Sequence, residues 1–180
     1  KVPDGSILNH YTYAKDSINN DNCILYICTG NIYSYSRSDK ENKIIGELTD
    51  RLGYDFIAIG RNETGFLKDV QNKSITASLN IEKLPKCRNY TIDGVRVSVT
   101  SLTDPSYAKY SGGSEVSDLN LDTIENDIDS LKNTADVLIV VSNVESSVEK
   151  KIFNKAESID IMISNTNSRN ESLSFGKRLY

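Results

Sequence analysis

Several polar residues follow directly on strand-like apolar runs, where the carboxyl edge of a parallel sheet would bring them together. Amide side chains in such places could recognise a ligand by hydrogen bonds, or they could be turn residues only, since Asn favours turns. A guanidinium among them could bind phosphate or carboxylate, or pair with a nearby acid such as Glu63. We call these residues the strand-end cluster: Asn31, Arg61, Asn62, Glu63, Asn143, Asn165 and Asn167.

The sequence offers few side chains that bind transition metals. It has one histidine, His10, and three cysteines, without His-x-His or Cys-x-x-Cys spacing. We therefore predict no metal and no other cofactor. Cys23 and Cys28 lie in one apparent strand, roughly 16 Å apart when extended, so they should not bridge each other. Cys28 has no neighbouring histidine to activate its thiolate and is interpreted as a small core residue.

The composition fits a single domain spanning residues 1–180. The 180 residues are 38% apolar, and a chain of that size can bury about 70% of its unfolded surface. The net charge is −4 with both signs mixed along the chain, which disfavours nucleic-acid binding. No apolar run approaches the ~20 residues that span a bilayer. The tyrosine-rich composition suggests amphipathic contact surface at Tyr33, Tyr35, Tyr107 and Tyr110.

Short β-branched runs alternate with amphipathic helical segments, a pattern typical of parallel strands joined by crossover helices. The predicted strands are Cys23–Cys28, Asp55–Ile59, Ile75–Leu79, Val95–Ser101, Val137–Val141 and Asp160–Ser164. The predicted helices contain Ile7–Ile18, Asp39–Leu52, Leu121–Leu131 and Ser146–Ser158. Gly53 should end the second of these helices. Together the patterns predict an α/β fold.

Two connections have their own signals. Asp93-Gly94 lies between two β-rich runs and predicts a tight hairpin, so one antiparallel pair should interrupt the alternation. The segment Asp104–Ser117 is polar and is interpreted as a surface loop.

Four Asn-x-Ser/Thr motifs could accept glycans if the chain is exported through a glycosylating route. Chance explains most such motifs in an Asn-rich chain. The candidate positions are Asn62, Asn72, Asn89 and Asn170.

The segment Leu52–Glu63 reads LGYDFIAIGRNE, and six other blocks keep a fixed order around it. The others are Ile24–Asn31, Thr76–Asn80, Gly94–Thr103, Ala135–Asn143, Ile159–Asn167 and Phe175–Leu179. These blocks resemble the catalytic domain of 5′-nucleotidases, in the calcineurin-like metallophosphoesterase superfamily. In that family the segment matching Leu52–Glu63 reads LGYDAVALGNHE. The resemblance implies a layered sandwich in which helices flank mixed β-sheets.

The family's chemistry depends on ligands that this sequence replaces. Members hold two divalent metals, roughly 3.5–4 Å apart, that clamp phosphate and activate water. Where the resemblance places an aspartate, an asparagine and four histidines, this chain has Asn31, Arg61, Asn62, Asn143, Asn165 and Asn167. Amides bring no negative charge, and the Arg61 guanidinium would repel a dication. Glu63 alone matches, so the resemblance implies a noncatalytic pseudoenzyme.

The family's first strand should precede Lys1, and the resemblance places it inside the sheet. Its absence would leave backbone groups unpaired, so we expect another protein chain or an upstream precursor segment to complete the sheet, with an oligomer as one outcome.

The family's usual location implies an extracellular or periplasmic domain that serves protein contact or assembly. Two alternatives remain open. One is a residual or altered metal-dependent phosphoesterase or nucleotidase, and the other is a metal-free binder of anions or nucleotides in the old cleft.

Overall fold

The computed structural model describes residues 25–66, 78, 80–81, 84–110, 118–165, 174–175 and 178–179. Its strands are β1 (Ile27–Cys28), β2 (Phe56–Ile57), β3 (Arg88–Ile92), β4 (Val95–Thr103), β5 (Val137–Asn143), β6 (Ile161–Ser164), β7 (Ser174–Phe175) and β8 (Arg178–Leu179). Its α-helices are α1 (Asp39–Leu52), α2 (Leu121–Lys132) and α3 (Ser146–Lys155).

The described strands form two sheets. The larger has six strands in the order β3-β4-β5-β6-β8-β7, and β4, β5, β6 and β8 run parallel within it. The smaller is the parallel pair β1–β2. The apolar side chains of Phe56, Val99 and Val141 join the two sheets face to face. On the other face of the large sheet, α2 and α3 bury Ile128 and Phe153.

This layering confirms the predicted α/β sandwich of helices and mixed sheets. Each fully buried large apolar side chain contributes about 1.5–3 kcal/mol to folding, which is why the alternating apolar pattern fixes the layers.

Strand β2 is shorter than predicted, and β4 and β5 are longer. The predicted strand Asp55–Ile59 is a strand only over Phe56–Ile57, with one further backbone bond to the β1 segment on each side, from the Asp55 and Ala58 N–H groups. By contrast, β4 and β5 each run two residues further than predicted. Their parallel ladder continues to the pair Thr103 and Asn143, which carries Asn143 to the sheet edge.

Helix α1 has the predicted bounds. Ser38 and Glu41 form a capping box at its start, and Gly53 ends it in the left-handed conformation, with φ of 67°. Helix α3 ends at Lys155, three residues earlier than predicted, because Ala156 has ψ of 86° and leaves the helical conformation. The predicted helix Ile7–Ile18 lies outside the described residues, as does nearly all of the predicted strand Ile75–Leu79.

The predicted hairpin is confirmed, since Asp93 and Gly94 both have positive φ, at 49° and 80°, between antiparallel β3 and β4. The segment Asp104–Ser117 is not all irregular, because Pro105–Tyr110 form a 3₁₀ helix. Its backbone is anchored where the Tyr107 carbonyl accepts the Thr64 hydroxyl at 3.4 Å. Among the described helices, none is both long and apolar enough to cross a membrane.

Candidate functional site

Two members of the strand-end cluster join three strand ends through one backbone carbonyl. The Thr29 carbonyl, just past β1, accepts the Asn143 Nδ2 at 2.9 Å and the Asn165 Nδ2 at 3.1 Å. The Asn165 Nδ2 also donates to the Asn143 Oδ1 at 2.8 Å. We call this the amide bridge. Because these amides bond each other and Thr29, they connect the small sheet to the carboxyl ends of β5 and β6.

Glu63 is fully buried beside the amide bridge, and its carboxylate accepts four backbone N–H groups. One oxygen accepts from Asn31 at 2.7 Å and Gly60 at 2.9 Å, and the other from Ile32 at 2.5 Å and Tyr33 at 3.2 Å. Burial raises the pKa of Glu63, and the backbone N–H bonds oppose that rise. We call this arrangement the Glu63 cradle. It fixes the loop after β1 against the loop after β2.

The loop after β1 needs its Gly-Asn pair for conformational reasons. Gly30 has φ of 94°, and a Cβ there would lie 2.7 Å from the Ala58 carbonyl oxygen. Asn31 follows with φ of 61°, a left-handed conformation that Asn tolerates better than most residues. The Asn31 Oδ1 accepts the Asn62 N–H at 3.4 Å. The Asn31 side chain thus lies against the backbone of the second loop.

Arg61 is exposed at the rim of this region. Its guanidinium carbon lies 5.9 Å from the centre of the Tyr107 ring, within the range of a cation–π contact. Glu63 is not the acid that pairs with Arg61, because its oxygens accept backbone N–H groups. Pairing of Arg61 with another acid stays a prediction. Burial and Asp104 raise the pKa of Tyr107, and Arg61 lowers it.

The side chains in the described region do not fit a pair of divalent metals. The described residues contain no group of three or more His, Cys, Asp or Glu side chains that could hold a metal ion. An asparagine ligates a metal through its Oδ1, and the Asn143 Oδ1 already accepts the Asn165 Nδ2 at 2.8 Å. Asn167 lies outside the described residues.

The structure brings Asn31, Asn62, Glu63, Asn143 and Asn165 together and places Arg61 at their rim. Sequence analysis missed Thr29, whose contribution is a backbone carbonyl. Its side-chain type gives no signal of that role. The role of the Thr29 carbonyl is visible only in the structure, where the ends of β1, β5 and β6 converge.

The remaining candidate positions lie apart from the cluster. Asn89 is exposed on β3, where its Oδ1 accepts the Ser98 hydroxyl at 2.6 Å. The motifs at Asn72 and Asn170 lie outside the described residues. Cys28 is a free, half-buried thiol outside the buried core clusters, and burial raises its pKa to about 11.

The predicted tyrosine surface needs one correction. Tyr33 is only 4% exposed, because its ring stacks on Phe66 at 5.0 Å between centroids. Tyr35 is 49% exposed, as a contact surface would require.

No protein-family model matches the sequence, and no curated protein matches it at a significant level. Solved structures do match. The sulfate thiohydrolase SoxB from Thermus thermophilus superposes with a TM-score of 0.81 at 14% identity, over 94% of this chain and 36% of that chain. The NAD nucleotidase of Haemophilus influenzae gives 0.77 at 15% identity, over 91% of this chain and 33% of that one.

The calcineurin-like phosphoesterase YfkN from Bacillus subtilis gives 0.70 at 15% identity, over 91% of this chain and 64% of that chain. This chain therefore spans about a third of the SoxB structure, about a third of the NAD nucleotidase structure and under two thirds of YfkN. The backbone agreement over nearly the whole sequence, at identities this low, is an agreement of fold. This chain has the fold of 5′-nucleotidase and calcineurin-like phosphoesterase domains.

Proposed function

We propose that this chain is a noncatalytic domain of metallophosphoesterase fold, in which internal hydrogen bonds replace the metal centre. The amide bridge carries the proposal. Asn143 and Asn165 stand at positions where the resembled family has histidines, and both bond to Thr29. These side chains hold strand ends together, and the Asn143 Oδ1, the atom through which an amide would ligate, accepts the Asn165 Nδ2.

Energetics support this function. Asn143 is 1% exposed and its Oδ1 accepts the Asn165 Nδ2, so ligating a metal through that oxygen would break a buried hydrogen bond. An unsatisfied buried polar group costs about 1–3 kcal/mol. The amides would repay nothing in charge, since Asn31, Asn143 and Asn165 are neutral, whereas carboxylates neutralise a dication.

An activity assay tests the proposal. The protein is incubated with bis(p-nitrophenyl) phosphate or AMP in the presence of Mn²⁺, Co²⁺ or Zn²⁺. The NAD nucleotidase of Haemophilus influenzae, with NAD, serves as positive control. We expect background turnover, also for the double variant Asn31→Asp with Arg61→Asn, because the histidine positions would still be Asn. Metal-dependent turnover that disappears in Asn143→Ala would overturn the proposal.

A role in protein contact is supported by the outer edge of β1. The Tyr26 and Cys28 carbonyls accept N–H groups from the β2 segment, at 2.9 Å from Asp55 and 2.9 Å from Ala58. Backbone groups alternate in direction along a strand, so those of Ile27 point to the opposite side. We propose that another protein chain or a precursor segment pairs there, in an extracellular or periplasmic setting where Asn89 could carry a glycan.

Hydrogen exchange on the isolated 180-residue chain tests that contact. We expect the Ile27 amide to exchange much faster than the Ala58 amide, whose N–H bonds the Cys28 carbonyl. Strong protection of Ile27 in a pure monomer would rule out an added strand.

A second candidate function is metal-free anion binding at Arg61. The observation in its favour is the exposed guanidinium beside Tyr107, at the rim of the strand-end cluster. Thermal-shift measurements with phosphate, sulfate and AMP would show stabilisation that Arg61→Gln abolishes. Arg51→Gln, at an exposed position in the last turn of α1, is the matched control.

A further inference from the structure

A second region of the molecule offers a cavity that the strand-end cluster does not use. It is an open pocket of about 520 Å³ between α1 and two aromatic rings, a volume in the range of small-molecule sites. Its lining includes Tyr33, Phe66, Asp39, Lys43, Glu47 and Asp50. We call it the α1 cavity.

One wall of the α1 cavity is aromatic and held in place. The rings of Tyr33 and Phe66 stack with centroids 5.0 Å apart and planes 17° from parallel. The Glu63 cradle positions both, since the Tyr33 N–H bonds Glu63 and Phe66 ends the 3₁₀ turn that Glu63 begins. The rings are therefore placed by buried backbone hydrogen bonds, before any ligand binds.

The rim of that wall is formed by Tyr35, whose loop is held to α1 by Asn42. Tyr35 lies against Phe66 with centroids 5.7 Å apart, and 49% of its surface is exposed. It lies close over Gly65, where a Cβ would be 2.4 Å from the Tyr35 hydroxyl oxygen and would displace the Tyr35 ring. Asn42, 3% exposed, holds the same loop to α1 by two bonds to the Ser34 backbone, at 2.9 and 3.1 Å.

The facing wall is one side of α1 and is acidic. Asp39, Lys43, Glu47 and Asp50 follow each other at four, four and three residues, so they share a helix face. Among the described lining residues, the carboxylates of Asp39 and Glu47 flank the single ammonium of Lys43. The face of an aromatic ring also carries partial negative charge, so both walls favour a positively charged ligand.

We propose that the α1 cavity binds an organic cation, an alkylammonium whose methylene chain lies on Phe66, on which Tyr33 is stacked, and whose charge faces Glu47. The proposal is independent of the noncatalytic function, because none of the cavity-lining residues is a ligand position of the resembled family. An alkylammonium has two sources, a free polyamine or a lysine side chain of a peptide. The chemistry at the cavity is the same for both.

Titrations followed by NMR test this proposal. The probes are butylammonium, its neutral isostere butanol, spermidine, and N-acetyl-lysine methylamide. We expect saturable shifts of the Tyr33 and Phe66 ring signals with butylammonium, and none with butanol. Tighter binding of spermidine than of the lysine amide would assign the source as a polyamine, and the reverse order would assign a peptide. Ring signals that do not move with any cation, or that move equally with butanol, would overturn the proposal.

Charge variants make the test two-sided. Glu47→Gln should weaken butylammonium binding about two- to five-fold, the scale of a partly exposed ion pair. Lys43→Gln should strengthen it by a similar factor, because a competing cation is removed. Phe66→Leu keeps apolar bulk but removes the ring, and should also weaken binding.

Glu157→Gln, an exposed charge loss after α3, is the matched control and should change nothing. The same affinity in Glu47→Gln, Lys43→Gln and the unmodified chain would contradict an electrostatic site. Far-ultraviolet circular dichroism confirms that each variant is folded before its affinity is compared.

Discussion

The strand-end cluster and the α1 cavity use polar side chains in opposite ways. In the cluster, the amides of Asn143 and Asn165 and the carboxylate of Glu63 bond to the chain itself. In the cavity, Glu47 and Lys43 line about 520 Å³ of open volume. The polar side chains of the cluster are thus paired within the chain, whereas the charged side chains of the cavity lie on an exposed helix face.

The two regions are also mechanically linked. The Glu63 cradle lies between them, binding Asn31 on the cluster side and Tyr33 on the cavity side. Any change at Glu63 should therefore affect both regions, whereas a change in the amide bridge should affect the cluster alone.

The largest expected effect comes from Glu63→Ala, which would leave four N–H groups without their acceptor. At about 1–3 kcal/mol for each unsatisfied buried group, the loss should reach on the order of 4 kcal/mol or more, a large share of a typical stability of about 5–15 kcal/mol. Urea unfolding followed by circular dichroism measures it.

If Glu63→Ala fails to fold, Glu63→Gln keeps the residue's shape and one oxygen. It should still cost about 2 kcal/mol, because the new amide N–H groups face backbone donors. Glu157→Gln should be neutral. A Glu63→Gln variant as stable as the unmodified chain would remove the Glu63 cradle as the link between the two regions.

A smaller effect is expected in the amide bridge. Asn143→Ala should cost about 2 kcal/mol, because Asn143 is buried and holds bonds to both Thr29 and Asn165. Asn165→Ala should cost about 1 kcal/mol, since Asn165 is only half-buried.

The double variant should show a coupling of at least about 0.5 kcal/mol, as residues in one hydrogen-bond network do. Strictly additive losses would mean that the two amides act separately and that no bridge exists. Alkylammonium binding at the α1 cavity should be unchanged in both single variants.

The smallest effect concerns the surface ion pair between Arg96 and Asp136. Hydrogen bonds from Arg96 lower the pKa of Asp136 to about 2. A depressed carboxyl pKa stabilises the fold above the unfolded pKa of 3.8, and this contribution is lost as the pH falls toward 2. In Arg96→Gln, the NMR-measured pKa of Asp136 should rise toward its ordinary value. An unchanged pKa would show that Arg96 is not its cause.

Local signals predicted the elements well where they are strong. The Ser38 cap and Gly53 stop defined α1, and Asp93-Gly94 defined the hairpin. The end of α3 was misplaced because tertiary packing buries Ile159 beyond it. Periodicity cannot reveal that competition.

The sequence predicted which of the described residues lie together in the candidate site, but not the hydrogen-bond partners of their side chains. Its residues follow strands, so their convergence could be foreseen. Which partner each side chain takes could not, because the Thr29 carbonyl and the N–H groups around Glu63 are backbone atoms common to every sequence. The α1 cavity was missed for a related reason, since it depends on Tyr33 folding inward against Phe66.

Metal stoichiometry tests the central claim most directly, because the amide bridge and a dinuclear centre would need the same side chains. The protein is equilibrated with Mn²⁺ or Zn²⁺, passed through a desalting column and measured by elemental analysis, with the Haemophilus influenzae NAD nucleotidase run in parallel. Replacement of the metal centre by hydrogen bonds predicts well under one metal ion per chain, unchanged in Asn143→Ala. Two tightly retained ions per chain, lost in Asn143→Ala, would contradict it.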